Sequence, residues 1–396
     1  MTPAARMAAA IDILDRILAG AAGEQALTAW ARGSRFAGSG DRAAVRDHVY
    51  DALRCLRSYT AMAGAAVPSG RSLMMGALRA GGHDVDGMFT GMGYAPAALS
   101  EAEVAALAAA PDLAGLPAAA AADCPDWLVA PLQDSLGAGW ADVMAAQRAR
   151  APVFLRVNTA RIARDAAIAA LNRDGIEAEV CEIAPTALLV SGNINKIKVS
   201  EAYLKGFVEL QDASSQAAVA ALALQDGMAV LDYCAGGGGK ALAMAAQVNC
   251  AVTAHDAAPT RMRDLPARAA RAGATIKVVE NAAALAAGYD LVLVDAPCSG
   301  SGTWRRTPDA KWRLTPERLA ELQDLQGVIL AQAAGRVRPG GRLAYMTCSL
   351  LRAENDATIG TFLAHHPQFA AQEMRHFSPL QGSDGFFAAM LSRERP

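Results

Sequence analysis

Hydrophobic positions divide this chain into three regimes. Through the first hundred residues they recur every three to four positions, the spacing of helices that bury one face. Met7 to Leu18 carries one such stripe. Val45, Val49, Leu53 and Leu56 carry a second, with Asp41 placed as the N-cap of its helix. Arg42, Arg46, Arg54 and Arg57 decorate that helix; they suit a solvated face first and an RNA backbone second. Gly81-Gly82, Gly91 and Gly93-Tyr-Ala-Pro96 keep the following helices short. Residues 110–123 read as a connector, and Cys124-Pro-Asp-Trp-Leu opens a helical segment ending near Arg150.

The period then changes. Val153-Phe-Leu-Arg-Val-Asn158 alternates like a strand, Arg164 to Arg173 is helical, and Leu188 to Val190 is short and extended, which predicts a small α+β module. Asp212 or Ser214 is placed to cap a helix running to about Leu224. From residue 228 the pattern is strand, turn and helix, repeated. The strands are Met228 to Asp232, Val252 to Ala254, Ile276 to Val279, Leu291 to Val294 and Arg342 to Met346. The helices start at Ala241, at Arg261 (with Pro266 as an interruption) and at Thr315-Pro-Glu, the last stopping at Arg338-Pro-Gly-Gly341. This alternation predicts a doubly wound α/β sheet with its ligand site at the carboxyl edge.

Composition narrows the class. With 396 residues, 53% hydrophobic and 19% charged, the chain can bury a sizeable core in two or three domains. A net charge of −2 means that any nucleic-acid footprint is local. Seven widely spaced cysteines, with no CxxC pair and no metal-ligand spacing, predict reduced thiols in the cytoplasm and no metal site. No apolar run reaches membrane-spanning length, and the N-terminus lacks a signal-peptide layout, so no membrane partner is expected. A monomer is expected.

Candidate chemistry collects at strand ends. Leu291 to Val294 are four aliphatics that suit a strand buried on both faces, and Asp295 follows at its carboxyl end. Pro297 stops the strand, and Cys298 sits in the Ser/Gly loop beyond it. Cys348 lies just past the fifth strand in the same way. A buried acid with core cysteines is the plain alternative. After the first strand of this region, Tyr233-Cys-Ala-Gly-Gly-Gly-Gly-Lys240 satisfies GxGxx(G/A) through Gly236, Gly238 and Ala241, with Asp256 about 20 residues on. That fits a nicotinamide dinucleotide or S-adenosylmethionine. It excludes a P-loop, because Cys234 replaces the leading glycine and Ala241 the Ser/Thr. Two thiols and a carboxylate have little use in hydride transfer. They do have a use in methylating cytosine C5, where a thiolate adding to C6 makes C5 nucleophilic and an acid near N3 stabilises the ring charge.

The motifs Asp295-Ala-Pro-Cys-Ser-Gly-Ser-Gly-Thr-Trp-Arg-Arg306, Pro308-Asp-Ala-Lys-Trp-Arg313, Thr347-Cys-Ser349 with Glu354-Asn355, Asp384-Gly-Phe-Phe387, Leu155-Arg-Val-Asn158 and Gln211-Asp-Ala-Ser-Ser-Gln216 span about residues 124–390. Together they resemble the RNA 5-methylcytosine methyltransferases of the Sun/Fmu (Nol/Nop/Sun) type, in the bacterial RsmB-like rRNA branch. The segment Asp41-Arg-Ala-Ala-Val-Arg-Asp-His-Val-Tyr-Asp-Ala-Leu-Arg54 resembles the NusB-like domain attached to one branch of that family.

The resemblance implies an all-α NusB-like RNA-binding domain at 1–123, a connector and RRM-like α+β module at 124–208, and a Rossmann-like class I methyltransferase domain at 209–396. It implies that Cys348 attacks cytosine C6, that Cys298 assists product release and that Asp295 contacts the base. Cys234, Ala235, Gly236, Gly237, Gly238, Gly239, Lys240, Asp256, Asn281 and Asp295 would hold S-adenosylmethionine. The substrate would be RNA, expected to be 16S rRNA, at a single-stranded or flipped-out cytosine. Arg305, Arg306, Lys311, Trp312 and Arg313 place cations beside aromatics and are expected to touch that RNA. Two departures stand out: Gly236-Gly237 replaces the family's Ala-Pro, which predicts a looser turn, and Asn281 stands where an acid is usual. The rival readings are a dinucleotide oxidoreductase and a non-catalytic RNA-binding assembly factor.

Overall fold

A computed structural model describes residues 1–395. The chain forms two compact units: Met1–Arg150 with Trp304–Leu314, and residues 151–303 with 315–395.

The first unit is helical. Its first helix, Pro3–Leu18, begins before the expected Met7 because the Thr2 hydroxyl accepts the Ala5 N–H and Pro3 occupies the first turn. Asp41 is not the cap of Ser39–Arg54 but its third residue; its carboxylate accepts from the Gly38 N–H at 3.3 Å and from Arg6 at 2.8 Å. The stripes predicted from spacing form the core, where Ile13, Leu14, Val45, Val49, Leu53 and Leu73 are fully buried. Each such side chain contributes roughly 1.5–3 kcal/mol. Gly76 permits the tightest helix contact, since a Cβ there would lie 1.9 Å from the Tyr59 carbonyl oxygen.

This unit runs through the expected boundary at residue 123 to Arg150. The physical reason is Asp123, which is fully buried. It accepts from the Ser58 N–H at 2.8 Å and the Ser58 hydroxyl at 2.7 Å, and pairs with Arg148 at 2.9 Å. A buried carboxylate so held ties both sides of the supposed connector into one core.

The second unit holds two sheets. Strands β1 (Val153–Val157), β2 (Ala178–Val180), β3 (Ala187–Val190) and β4 (Val208–Leu210) form an antiparallel sheet in the order β2-β3-β1-β4, with the helix Arg164–Arg173. This is the small α+β module that the period predicts. The larger sheet contains β5 (Ala229–Asp232), β6 (Ala251–Ala254), β7 (Ile276–Val278), β8 (Tyr289–Asp295), β9 (Val337–Thr347), β10 (Phe369–Phe377) and β11 (Phe386–Arg393). Its order is β10-β11-β9-β8-β5-β6-β7, with β5 to β9 parallel and β11 antiparallel between β9 and β10.

Strand β8 pairs with β5 on one side and β9 on the other, and Leu291 to Val294 are fully buried. Three details differ from expectation. The helix expected from Arg261 splits into a short 3-10 turn, Pro259–Met262, and a helix Leu265–Ala272, which takes Pro266 into its first turn. Strand β9 continues through the expected stop at 338–341; Gly340 there has φ +73° and the pairing slips between Tyr289 and Leu291, as in a bulge. Strand β10 was not anticipated because seven of its nine residues are exposed, leaving no alternation to read. Among the described residues no helix is long and apolar enough to cross a membrane.

Candidate active site

Strands β5, β8 and β9 are neighbours, so their carboxyl ends converge. The loop after β8 carries Cys298 and the loop after β9 carries Cys348. Their sulfurs are 3.5 Å apart. The Ala296 N–H donates to the Met346 carbonyl, and the Gly302 N–H to the Cys348 carbonyl, both at 2.9 Å, so the backbones of the two loops are stitched together.

The two thiols are electrostatically unequal. The hydrogen bond to the Cys348 sulfur, followed by burial, pushes the Cys298 thiol well above the ordinary cysteine range. The same hydrogen bond favours the Cys348 thiolate and pulls its pKa down, against burial and the nearby Asp295; Lys240 and the Thr303 hydroxyl add to the lowering. These influences favour Cys348 as the more readily ionised sulfur of the pair.

Lys240 Nζ lies 2.5 Å from Asp295 Oδ2, with the Phe386 ring centroid at 5.1 Å. Burial works against the lysine's charge, but Asp295 outweighs it and holds the Lys240 pKa above its usual value. Cys234 is pushed up to about 12 by burial, then by Asp232, so this third thiol stays protonated.

The glycine turn joins β5 to the helix Gly239–Ala245. Gly236 and Gly238 have φ of +50° and +79°, conformations that suit glycine. A Cβ on Gly238 would lie 2.1 Å from a Leu265 methyl carbon. The turn is braced rather than loose. The Gly236 N–H donates to Asp256 at 2.9 Å, Arg268 donates to the Gly237 carbonyl, and Arg156 donates to the Gly239 carbonyl at 2.7 Å. Asp256 also accepts from the Ala258 N–H at 2.9 Å and pairs with Arg261 at 3.1 Å. Its carboxylate thus organises the turn. Asn281 is exposed just past β7, where its side-chain oxygen accepts the Ala283 N–H at 2.9 Å.

Asp232, which sequence reasoning treated only as a strand end, is the most perturbed acid here. It is buried, and neither carboxylate oxygen has a hydrogen-bond partner. Burial first, and the Asp295 charge next, raise it to about 7. An acid immediately before a glycine turn was the signal available for it.

The expected RNA-contact cluster needs correction. Residues 304–314 group with the helical unit. Arg305 and Lys311 are buried. Lys311 Nζ donates to the Arg54 carbonyl at 3.3 Å, and Trp312 Nε1 donates to the Leu53 carbonyl at 2.6 Å. Arg54, read as a surface arginine, is itself buried and donates to the Arg305 carbonyl at 2.7 Å. These groups cap the C-terminal carbonyls of Ser39–Arg54, a use that residue type and spacing do not distinguish from phosphate binding. Arg306 is half-buried, and Arg313 is exposed and paired with Asp309 at 2.9 Å.

Residues 219–392 match the family described as 16S rRNA methyltransferase RsmB/F, and residues 124–196 match the RsmF/B-like methyltransferase ferredoxin-like domain. The chain is 33% identical over 288 residues to Ribosomal RNA small subunit methyltransferase B of Klebsiella pneumoniae subsp. pneumoniae. That match covers 68% of this chain and 66% of its relative, so the chain spans just under two thirds of the length of the curated relatives it matches. Among solved structures, PH0851 shares the fold with a TM-score of 0.78 at 23% identity, over 99% of both chains. NSun6 from Pyrococcus horikoshii with SFG has a TM-score of 0.61 at 18% identity, over 69% of this chain and 99% of its own.

Proposed function

This chain belongs to the RsmB/F family of 16S rRNA methyltransferases, and on that premise we propose that it methylates C5 of a cytosine in small-subunit ribosomal RNA. In this reading S-adenosylmethionine is the methyl donor and Cys348 a covalent nucleophile. The observation that carries it is the thiol pair at 3.5 Å, polarised toward a Cys348 thiolate and set beside Lys240 and Asp295.

The residues present fit the cofactor. The left-handed glycines leave a turn without side chains, and Asp232 offers a buried carboxylate with no partner of its own. Cys234 to Lys240, Asp256 and Asn281 would form the cradle, and SFG, bound by NSun6, is an analogue of S-adenosylmethionine. When bound, that cofactor supplies an electrophilic methyl group on sulfur.

The protein's own part begins with the Cys348 thiolate adding to C6. A C–S bond forms, and the C5–C6 electron pair shifts into the ring, making C5 nucleophilic. Lys240, held by Asp295, offsets the negative charge that builds there. After C5 has gained its methyl group, the C5 proton leaves to a base, the double bond reforms and the C–S bond breaks. Cys298 donates its S–H hydrogen bond to the departing Cys348 sulfur, easing its return as thiolate.

The test is transfer of radiolabelled methyl from S-adenosylmethionine to small-subunit rRNA from a deletion strain, with bisulfite sequencing to locate the cytosine. Labelled 5-methylcytosine at one position is expected. Calorimetry that found tight NAD(H) binding and none for S-adenosylmethionine would overturn the proposal.

A further inference from the structure

We propose that Glu354 is a positioning residue for the thiol pair: its buried carboxylate ties the Cys298 loop to the Cys348 loop and makes the two thiols unequal. The inference rests on the reading of Cys348 as nucleophile.

Glu354 is fully buried at the end of the 3-10 turn Arg352–Glu354. One carboxylate oxygen accepts from the Ser299 N–H at 2.8 Å and from Gln326 Nε2 at 3.0 Å. The other accepts from the Ser299 hydroxyl at 2.5 Å and from the Ser349 hydroxyl. Ser299 follows Cys298 in the chain, and Ser349 follows Cys348. A single side chain therefore grips the residue after each thiol. The supporting contacts point the same way. Gln326 also donates to the Pro297 carbonyl at 3.0 Å, and the Tyr345 hydroxyl donates to the Glu354 carbonyl at 2.7 Å. Asn355 bridges the residues on both sides of Cys348, accepting from the Thr347 hydroxyl at 2.6 Å and donating to the Ser349 carbonyl at 2.9 Å.

All four donors to the Glu354 carboxylate are neutral, so its charge is satisfied but not cancelled. Glu354, Asp295 and Lys240 are the charged groups that bear on the two sulfurs, while the Gly300 N–H favours the thiolate of Cys298 and the Thr303 hydroxyl that of Cys348. Glu354 opposes ionisation of Cys298, as does the Cys348 sulfur. Asp295 opposes ionisation of Cys348, whereas Lys240 favours it. With Glu354 opposing a charge on Cys298 and Lys240 favouring one on Cys348, the proton shared by the pair belongs on Cys298. Sequence position alone treats the two thiols alike; Glu354 and Lys240 make them different.

The test is Glu354→Gln, which keeps the shape, removes the charge and leaves one oxygen to accept two of the four hydrogen bonds. Iodoacetamide alkylation of the full chain as a function of pH, read cysteine by cysteine by mass spectrometry, reports the ionisation of each thiol. In the wild type Cys348 reacts at least about tenfold faster than Cys298 at pH 7. In Glu354→Gln the ratio falls to within about threefold. The Cys298 midpoint moves to lower pH, and kcat drops while KM holds. Glu354→Asp keeps the charge and recovers the order of alkylation. An unchanged ratio and an unmoved Cys298 midpoint in Glu354→Gln would overturn the inference. If that variant does not fold, the double variant Ser299→Ala/Ser349→Ala loosens the loops but keeps the charge. Retained alkylation order supports the role of the charge, and lost order overturns it. Wild-type methyl transfer is measured alongside. No transfer by the wild type defeats the proposed function, whereas transfer with an alkylation order indifferent to Glu354 defeats this inference alone.

Discussion

Asp232 gives the site a measurable pH signature. Its carboxyl is raised to about 7 in the folded chain, mainly by burial, whereas an unfolded aspartate titrates near ~3.9. Between those values the folded state holds a proton that the unfolded state has released. Stability from this group is therefore fully present below the unfolded value and is lost as pH rises through about 7. From pH 5 to pH 7 the slope starts near ~1.4 kcal/mol per pH unit and halves at the folded midpoint, so the loss is about 2 kcal/mol. Asp232→Asn has the same shape and cannot ionise. Urea unfolding of wild type and variant at pH 5, 6, 7 and 8 isolates the effect, because every other titrating group is common to both. Asp232→Asn should gain on the wild type by about 2.5 kcal/mol in total across this range, most of it below pH 7. Parallel curves, differing by less than about 0.5 kcal/mol across the range, would show that Asp232 is not held neutral by its surroundings.

Other consequences are equally specific. Gly238→Ala places a Cβ at φ +79° and 2.1 Å from Leu265. The backbone strain alone is roughly 1–2 kcal/mol, and calorimetry should show S-adenosylmethionine affinity reduced at least tenfold. Lys240→Met removes the cation that favours the Cys348 thiolate, so the midpoint of Cys348 alkylation should move to higher pH. Lys311→Met should lower the melting temperature but leave the salt dependence of RNA binding unchanged, because Lys311 is buried against the Arg54 carbonyl. If Arg313 meets a phosphate, Arg313→Ala should reduce that salt slope by about one.

The larger sheet was legible because β8 is buried on both faces and reads as an unbroken aliphatic run, and because glycine turns and helix starts punctuate the repeats. Cys298, Cys348 and Asp295 were legible as strand-end chemistry and Lys240 through the family resemblance alone, and the structure brings them together. Other features depend on partners far along the chain. Lys311-Trp312 has the composition of a phosphate-binding pair, yet its donors meet the carbonyls of Leu53 and Arg54, more than 250 positions away. Asp123 looked like part of a connector until its contacts with Ser58 and Arg148 put it in a core. Gly236-Gly237 predicted slack, but Arg268 and Asp256 hold that turn. In each case residue type is local information, while burial and hydrogen-bonding partner are set by tertiary contact.

The central claim is that Cys348 attacks and Cys298 releases. Its most direct measurement is trapping of the covalent complex: each single alanine variant is incubated with substrate rRNA and S-adenosylmethionine, then run on a denaturing gel that separates free RNA from protein-linked RNA. Cys298→Ala should accumulate the linked species and Cys348→Ala should form none. Adduct in Cys348→Ala but not in Cys298→Ala would contradict the assignment of the two thiols.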